Sequence, residues 1–350
     1  MKLFSFSRPT SLAAAIAEGS TPGATFLAGG TNLLDLMKGE VLRPEKLVDL
    51  SAIEDLRGIE TGPAGEMRIG ASVTNGDLAR DTAVAGRFPS VVEALLSGAS
   101  GQLRNAATVG GNILQKTRCP YFYDTASRCN KRTPAQGCDA LDGENRSHAI
   151  LGWNETCIAT HPSDLCVPLV ALGATVEIDG PDGRRTVALT ELLATPEETQ
   201  ARGDTLGPGE IIIAVTIPAK AAKFASHSRY LKVRERTSYA FATVSVAASL
   251  ALDAGKVTDA RIALGGVAAT PWKRQEAEQC LVGQPPDTEA FALAANALLA
   301  EARPSGQNAY KIELARRTVM RALHMAAAGT PSHVPALPGS LFSSPEGADS

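Results

Sequence analysis

No run of Lys or Arg in this chain exceeds a pair, as at Arg184-Arg185 and Arg316-Arg317, and the formal net charge is −3. A surface without basic runs has no electrostatic footprint for a phosphate backbone, so nucleic acid is not an expected partner. No window approaches the roughly 18 uninterrupted apolar residues of a membrane span. Met1-Lys2-Leu3-Phe4-Ser5-Phe6-Ser7-Arg8-Pro9 holds no apolar stretch of export length. The expectation is a protein without a membrane span or an export signal of its own, cytoplasmic or carried to the periplasm by a signal-bearing partner. Also missing are a Walker A sequence, HExxH, GxSxG, the Rossmann GxGxxG and any repeat at roughly 20 to 50 residues. Several common enzyme classes lose support with them.

What is present is more specific. The 350 residues, 44% of them apolar, suffice for two or three structural units with large cores. Two glycine-rich turns stand out, Ala28-Gly29-Gly30-Thr31-Asn32 and Val109-Gly110-Gly111-Asn112, and a segment holding Cys119, Cys129, Cys138 and Cys157 follows the second. Glycine turns let backbone approach a dinucleotide pyrophosphate, and cysteine clusters suit a metal. Together they predict a redox protein that carries an organic cofactor and a metal centre.

Ala24 to Leu27 reads as a short strand ending at Gly29-Gly30, and Asn32 to Lys38 has helical spacing that stops at Gly39. Such a strand, turn and helix start expose N–H groups that can hold a phosphate without a basic side chain. Val91 to Leu96 is helix-like and leads into Ser97 to Asn105 and Ala106 to Ile113. Small residues dominate there, and Ser100, Gln102, Thr108 and Asn112 can donate to phosphate or ribose oxygens. Strands are expected at Ala174–Ile178, Arg185–Leu189 and Glu210–Ile217. Ser228 to Thr237, Phe241 to Leu252 and Val257 to Val267 follow, with Asp253-Ala254-Gly255 as a hairpin turn. Helices are expected over Thr288–Ala302 and Ala309–Ala328, closing a C-terminal α+β unit that starts near Phe224. The Pro-, Ser- and Gly-rich residues after Gly329 read as a flexible tail.

The cysteines are widely spaced and form no CxxC knuckle, which fits a loop wrapped around an iron–sulfur cluster better than a zinc ribbon. Zinc and unliganded thiols remain open alternatives on spacing alone. Arg128, Lys131 and Arg132 flank Cys129 and are expected to stabilise thiolates. Cys166 and Cys280, in apolar sequence, read as buried bystanders. His148 and His161 read as structural residues, the latter in a capped turn.

These residues add up to a resemblance. Phe26-Leu-Ala-Gly-Gly-Thr-Asn-Leu33, Thr108-Val-Gly-Gly-Asn-Ile113 and His161-Pro-Ser-Asp164 resemble the FAD-binding subunits of the xanthine dehydrogenase family of molybdenum hydroxylases. Arg118-Cys-Pro-Tyr-Phe-Tyr-Asp124, Cys129-Asn-Lys-Arg132, Gly137-Cys138 and Cys157-Ile-Ala-Thr-His161 resemble its aldehyde-oxidising branch, whose flavin subunit also carries a [4Fe-4S] cluster. So do Lys232-Val-Arg-Glu-Arg-Thr-Ser-Tyr-Ala-Phe241 and Ala263-Leu-Gly-Gly-Val267.

The resemblance implies an α+β protein: a two-subdomain FAD-binding fold of the vanillyl-alcohol-oxidase (PCMH) type plus a C-terminal α+β flavoprotein domain. The expected divisions are 1–60, 61–223 with a cysteine-rich loop at 115–160, 224–330, and a tail at 331–350. It assigns Phe26, Leu27, Ala28, Gly29, Gly30, Thr31, Asn32 and Leu33 to the pyrophosphate. Thr108, Gly110, Gly111, Asn112 and Ile113 fall on the flavin side, Asp164 on a ribityl or ribose hydroxyl, and Lys232 with Ile212 or Ile213 on the isoalloxazine region. Cys119, Cys129, Cys138 and Cys157 would bind the [4Fe-4S] cluster, with Cys166 as the competitor of Cys157. No residue is expected to do acid–base chemistry on a substrate. The implied partners are a large molybdenum-cofactor subunit, a small [2Fe-2S] subunit and an external electron acceptor, with aldehyde oxidation as the activity. A xanthine dehydrogenase-like or 4-hydroxybenzoyl-CoA reductase-like flavin subunit and a zinc-stabilised nucleotide-binding module are the alternatives.

Overall fold

A computed structural model describes residues 1–193, 195 and 206–332; of the expected tail, 333–350 lie outside the described residues. Three sheets organise the chain. The first is small and parallel, in the order β1-β3-β2, from β1 (Ser5–Ser7), β2 (Ala24–Leu27) and β3 (Lys46–Asp49). The helix Leu12–Gly19, capped by Ser11 accepting from Ala14 N, supplies the crossover between β1 and β2. Strands that run parallel in one sheet, as β1 and β2 do on either side of β3, require such a crossover, and a short helix fills it.

The second sheet is antiparallel, in the order β4-β5-β8-β6-β7: β4 (Ile59–Thr61), β5 (Met67–Gly70), β6 (Thr175–Asp179), β7 (Arg185–Ala188) and β8 (Ile211–Ile217). Strand β8 is its spine. Pairing of β6 with β8 jumps from Glu177↔Ala214 to Ile178↔Ile212, leaving Ile213 as the extra residue of a bulge. The bulge flips the alternation. Ile211 and Ile213 fill the small core under the first sheet, whereas Ile212, Val215 and Ile217 join the large core with the buried helices Pro89–Ser97 and Cys166–Leu172.

The third sheet, β9 (Ser228–Val233), β10 (Val244–Asp253) and β11 (Lys256–Gly265), is antiparallel in the order β11-β10-β9. Its hairpin turns through Ala254 and Gly255, at φ 46° and 77°, the paired left-handed conformation that suits the twist of the strands. Helices Thr288–Leu298 and Tyr310–Ala327 cover it and close a separate core.

Glu93, in helix Pro89–Ser97, joins the two halves. Its carboxylate accepts from Arg229 Nε at 2.9 Å and from Tyr230 N at 2.5 Å, both on β9. The cysteine-rich loop also belongs to both halves. Ile150 and Leu151 are fully buried in the C-terminal core, and both donate their backbone N–H to Val267 O. The sequence reading assigned this loop to the FAD-binding half alone, because nothing local signals that Ile150 and Leu151 pair with a segment over a hundred residues downstream.

Candidate cofactor site

The two glycine segments meet. A Cβ on Gly29 would lie 1.9 Å from Ala106 O, so Gly29 is the residue that permits its turn to close on the end of helix Gly101–Ala106. Gly30 follows at φ 71°, the left-handed region that favours glycine. The second segment is a helix start rather than a free turn. Val109–Ile113 is helical, Thr108 caps it by accepting from Gly111 N at 3.2 Å, and Gly110 packs against Ala71. Glycine's low helix propensity hid this in the sequence, and burial of Val109 and Ile113 overrides it.

Asn32 locks this junction to the cysteine region. Its Oδ1 accepts from Lys116 N at 2.8 Å and its Nδ2 donates to Tyr123 Oη at 3.3 Å. Asn112 Oδ1 accepts from Ser163 Oγ at 2.6 Å, which ties the second glycine segment to the His161-Pro-Ser-Asp164 turn. Asp164 in turn accepts from Tyr230 Oη at 2.6 Å and from Lys232 Nζ at 2.8 Å. Lys232 is only 4% exposed along its side chain and also donates to Ser97 O. A buried pair of this kind is sensitive to removal of either partner.

The structure thus draws together residues 28–32, 108–112, Asp164 and Lys232. Other expected residues serve packing. Phe26 lies against Gly19, Ile113 is in the large core, and Ile212 and Ile213 are buried on opposite sides of β8. Ser100 caps helix Gly101–Ala106. The sequence reading missed Tyr230 and Arg118. The Arg118 guanidinium stacks 4.9 Å from the Phe241 ring, and both residues line a cavity of about 30 Å³ with His161 and Asp164. Phe241 remains about half exposed there.

Cys119, Cys129, Cys138 and Cys157 line one further cavity, of about 10 Å³, and all four are free thiols. Among the described residues, no group of three or more His, Cys, Asp or Glu stands at the separations of a single metal ion's ligands. A bridge pairs Cys129 with Cys138, and a tight turn pairs Asn154 with Cys157. Asn130 braces the ring, donating to Thr156 O at 2.9 Å and accepting from Gly137 N at 2.8 Å. Of the flanking cations only Lys131 acts as the sequence suggested, favouring the thiolate of Cys157; Arg128 and Arg132 do not. Arg128 is paired with Asp139 at 2.7 Å, and Arg132 donates to the carbonyls of Tyr121, Phe122 and Ser127. Burial dominates instead. It pushes the Cys119 thiol up to about 12 against the N–H groups of Phe122 and Tyr121, and raises Cys138 and Cys157, the last against Lys131.

Cys166 sits apart at the first turn of its helix, fully buried, with its thiol also at about 12. Cys280 ends the helix Gln275–Gln279. His148 was read as merely structural, yet its Nε2 stands 3.2 Å from Cys119 Sγ.

Paired glycine segments in a two-part α+β chain, with a separate C-terminal sheet docked on a buried Asp–Lys pair, are the frame of a flavin subunit. Residues 2–220 match the FAD binding domain in molybdopterin dehydrogenase, and residues 229–326 match the CO dehydrogenase flavoprotein C-terminal domain; the chain belongs to this family. It is 46% identical over 325 residues, 92% of this chain and 98% of the relative, to the aldehyde oxidoreductase FAD-binding subunit PaoB of Escherichia coli K12. It is 29% identical to the carbon monoxide dehydrogenase medium chain of Hydrogenophaga pseudoflava, over 92% of this chain and 96% of that one. Quinoline 2-oxidoreductase from Pseudomonas putida 86 superposes with a TM-score of 0.71 at 26% identity, over 94% of this chain and 99% of its own.

Proposed function

We propose that this chain is the FAD- and [4Fe-4S]-carrying subunit of a molybdenum-dependent aldehyde oxidoreductase. It would work with a large molybdenum-cofactor subunit and a small [2Fe-2S] subunit, and deliver electrons to an external acceptor. The single observation that carries the reading is Asn32. One side chain ties a glycine turn fit for a pyrophosphate to the start of a loop whose four cysteines ring one cavity. The 46% identical relative named as an aldehyde oxidoreductase subunit supports the substrate class.

The donor sets fit both groups. Around the first, Gly29 and Gly110 let the two segments close against Ala106 and Ala71, Gly30 supplies the left-handed turn, and Thr31, Asn32, Thr108 and Asn112 add polar atoms. Residues 26–33 would hold the pyrophosphate, and Thr108 with 110–113 the flavin side. Asp164 would face a ribityl or ribose hydroxyl, and Lys232, with Ile212 or Ile213, the isoalloxazine region. Around the second, four thiols face one cavity, and backbone N–H groups of Tyr121, Phe122, Ala140, Ile158 and Ala159 point at three of them. N–H groups aimed at sulfur are what a thiolate-held cluster uses to stabilise its charge. When bound, FAD and the cluster supply the electron-accepting and electron-donating chemistry. The chain's own work is to bind, orient and exclude water.

The test is the purified complex. Stoichiometric FAD, four irons per copy of this chain and aldehyde-dependent reduction of an added acceptor are expected. Zinc in place of iron, with no visible iron–sulfur absorption, refutes the cluster half, and turnover of aldehydes by the isolated subunit refutes the division of labour.

A further inference from the structure

His148 is held in place by its backbone. Its N–H donates to Asn145 O at 3.0 Å, and its carbonyl accepts from Asn308 Nδ2 at 3.1 Å and Lys311 Nζ at 2.8 Å. Lys311 is fully buried and also donates to Ser147 O at 3.0 Å and Gly266 O at 2.7 Å, so its three N–H groups clamp the loop to the C-terminal unit. The ring, 3% exposed, is therefore delivered to one place. Its Nε2 lies 3.2 Å from Cys119 Sγ, while Nδ1 is buried without a hydrogen-bond partner among the described residues. The contact to sulfur is the ring's one hydrogen bond of good geometry among them; the Asn145 carbonyl and the Lys311 ammonium are the other polar groups that face the ring.

A neutral imidazole carries a single N–H, and a thiolate only accepts. Facing a thiolate, the proton sits on Nε2. We propose that His148 is a positioning residue that donates Nε2–H to the Cys119 sulfur and raises the reduction potential of the cluster held by the four cysteines, an inference that rests on the cluster reading above. Reduction adds negative charge that spreads onto the sulfurs. A charge-assisted donor fixed before reduction favours that state over the oxidised one. Cys138 and Cys157 are faced by backbone N–H groups, which no side-chain substitution removes. Cys119 is faced by the N–H groups of Tyr121 and Phe122 as well, but it adds a side-chain donor that can be replaced.

The experiment is a potentiometric titration of the whole complex followed by EPR, with the flavin midpoint read in the same sample. H148F keeps the ring volume and deletes the donor, and the cluster's reduced-to-oxidised ratio at fixed poise should fall about tenfold, about 59 mV for a one-electron couple. H148Q, which retains an N–H, should recover most of the shift, with the flavin midpoint unmoved in both. In wild-type protein labelled with 15N-histidine, the reduced cluster should show a weak nitrogen hyperfine coupling by ENDOR. That measurement decides the matter even where H148F fails to assemble. An unchanged midpoint in H148F, an H148Q midpoint equal to that of H148F, or no nitrogen coupling in the wild type overturns the role of His148 while leaving the cluster intact. Wild-type complex without iron overturns both.

Discussion

Gly29→Ala is the most direct probe of the glycine junction. The new Cβ would lie 1.9 Å from Ala106 O, 2.7 Å from Ala106 C and 3.0 Å from Ala107 Cα, all backbone atoms. No rotamer change relieves such a clash. The turn and the helix end must separate by about 1 Å, at an overpacking cost of about 1–3 kcal/mol in stability. The same displacement carries backbone N–H groups away from the proposed pyrophosphate position. Losing one hydrogen bond to a charged group weakens binding by about 1.5–3 kcal/mol, or roughly 10- to 150-fold in Kd. Gly101→Ala is the matched control, since its Cβ meets nothing within 4 Å and it begins a helix capped by Ser100. FAD titration of deflavinated protein, followed by flavin fluorescence, with a thermal melt on each variant, separates affinity from unfolding. Wild-type affinity in a folded Gly29→Ala variant would refute the pyrophosphate assignment.

Ser at Cys119, Cys129, Cys138 or Cys157 should abolish bound iron, while Cys166→Ser and Cys280→Ser retain it; iron content and EPR of the reduced protein read the difference. Asn32→Leu removes the bond to Lys116 N and should lower both FAD and iron content in one variant, whereas loss of FAD alone would show that the two sites are not braced by this residue. Burial holds His161 down to about 4. The unfolded chain gains this proton below about 6.5 and the folded chain only near 4, so the unfolded state binds more protons in between. Stability should therefore fall as pH drops through that window, by about 3 kcal/mol from this group. Urea melts from pH 7 to pH 4.5 should show the slope, and His161→Gln should flatten it.

Much of the fold is local and was legible. The strand Ala24–Leu27, the Asp253-Ala254-Gly255 hairpin and the two C-terminal helices follow from periodicity and turn chemistry within a few residues. The two glycine segments were legible as special turns, and the structure brings them together, but the helical start at Val109 was not legible, because burial and not propensity decides it. The cysteine ring was legible as a set. Its electrostatics were not, since Arg128 and Arg132 spend their charge on Asp139 and on carbonyls, which only the folded loop reveals. His148 escaped for the same reason. Its contact with Cys119 depends on Lys311, 163 positions away.

That distance also has a clock attached. The thiols leave the ribosome about 150 residues before Lys311 and Asn308, and at about 5–20 residues per second the interval is roughly 8–30 s. Throughout it, Ile150 and Leu151 have no core to enter and the ring has no backing. A nascent chain loaded with metal in that interval would hold it on a floppy loop open to oxygen and to competing ions. The clamp thus makes the closed chamber depend on the last third of the chain: without the C-terminal core and Lys311, nothing holds the loop's inner side in place.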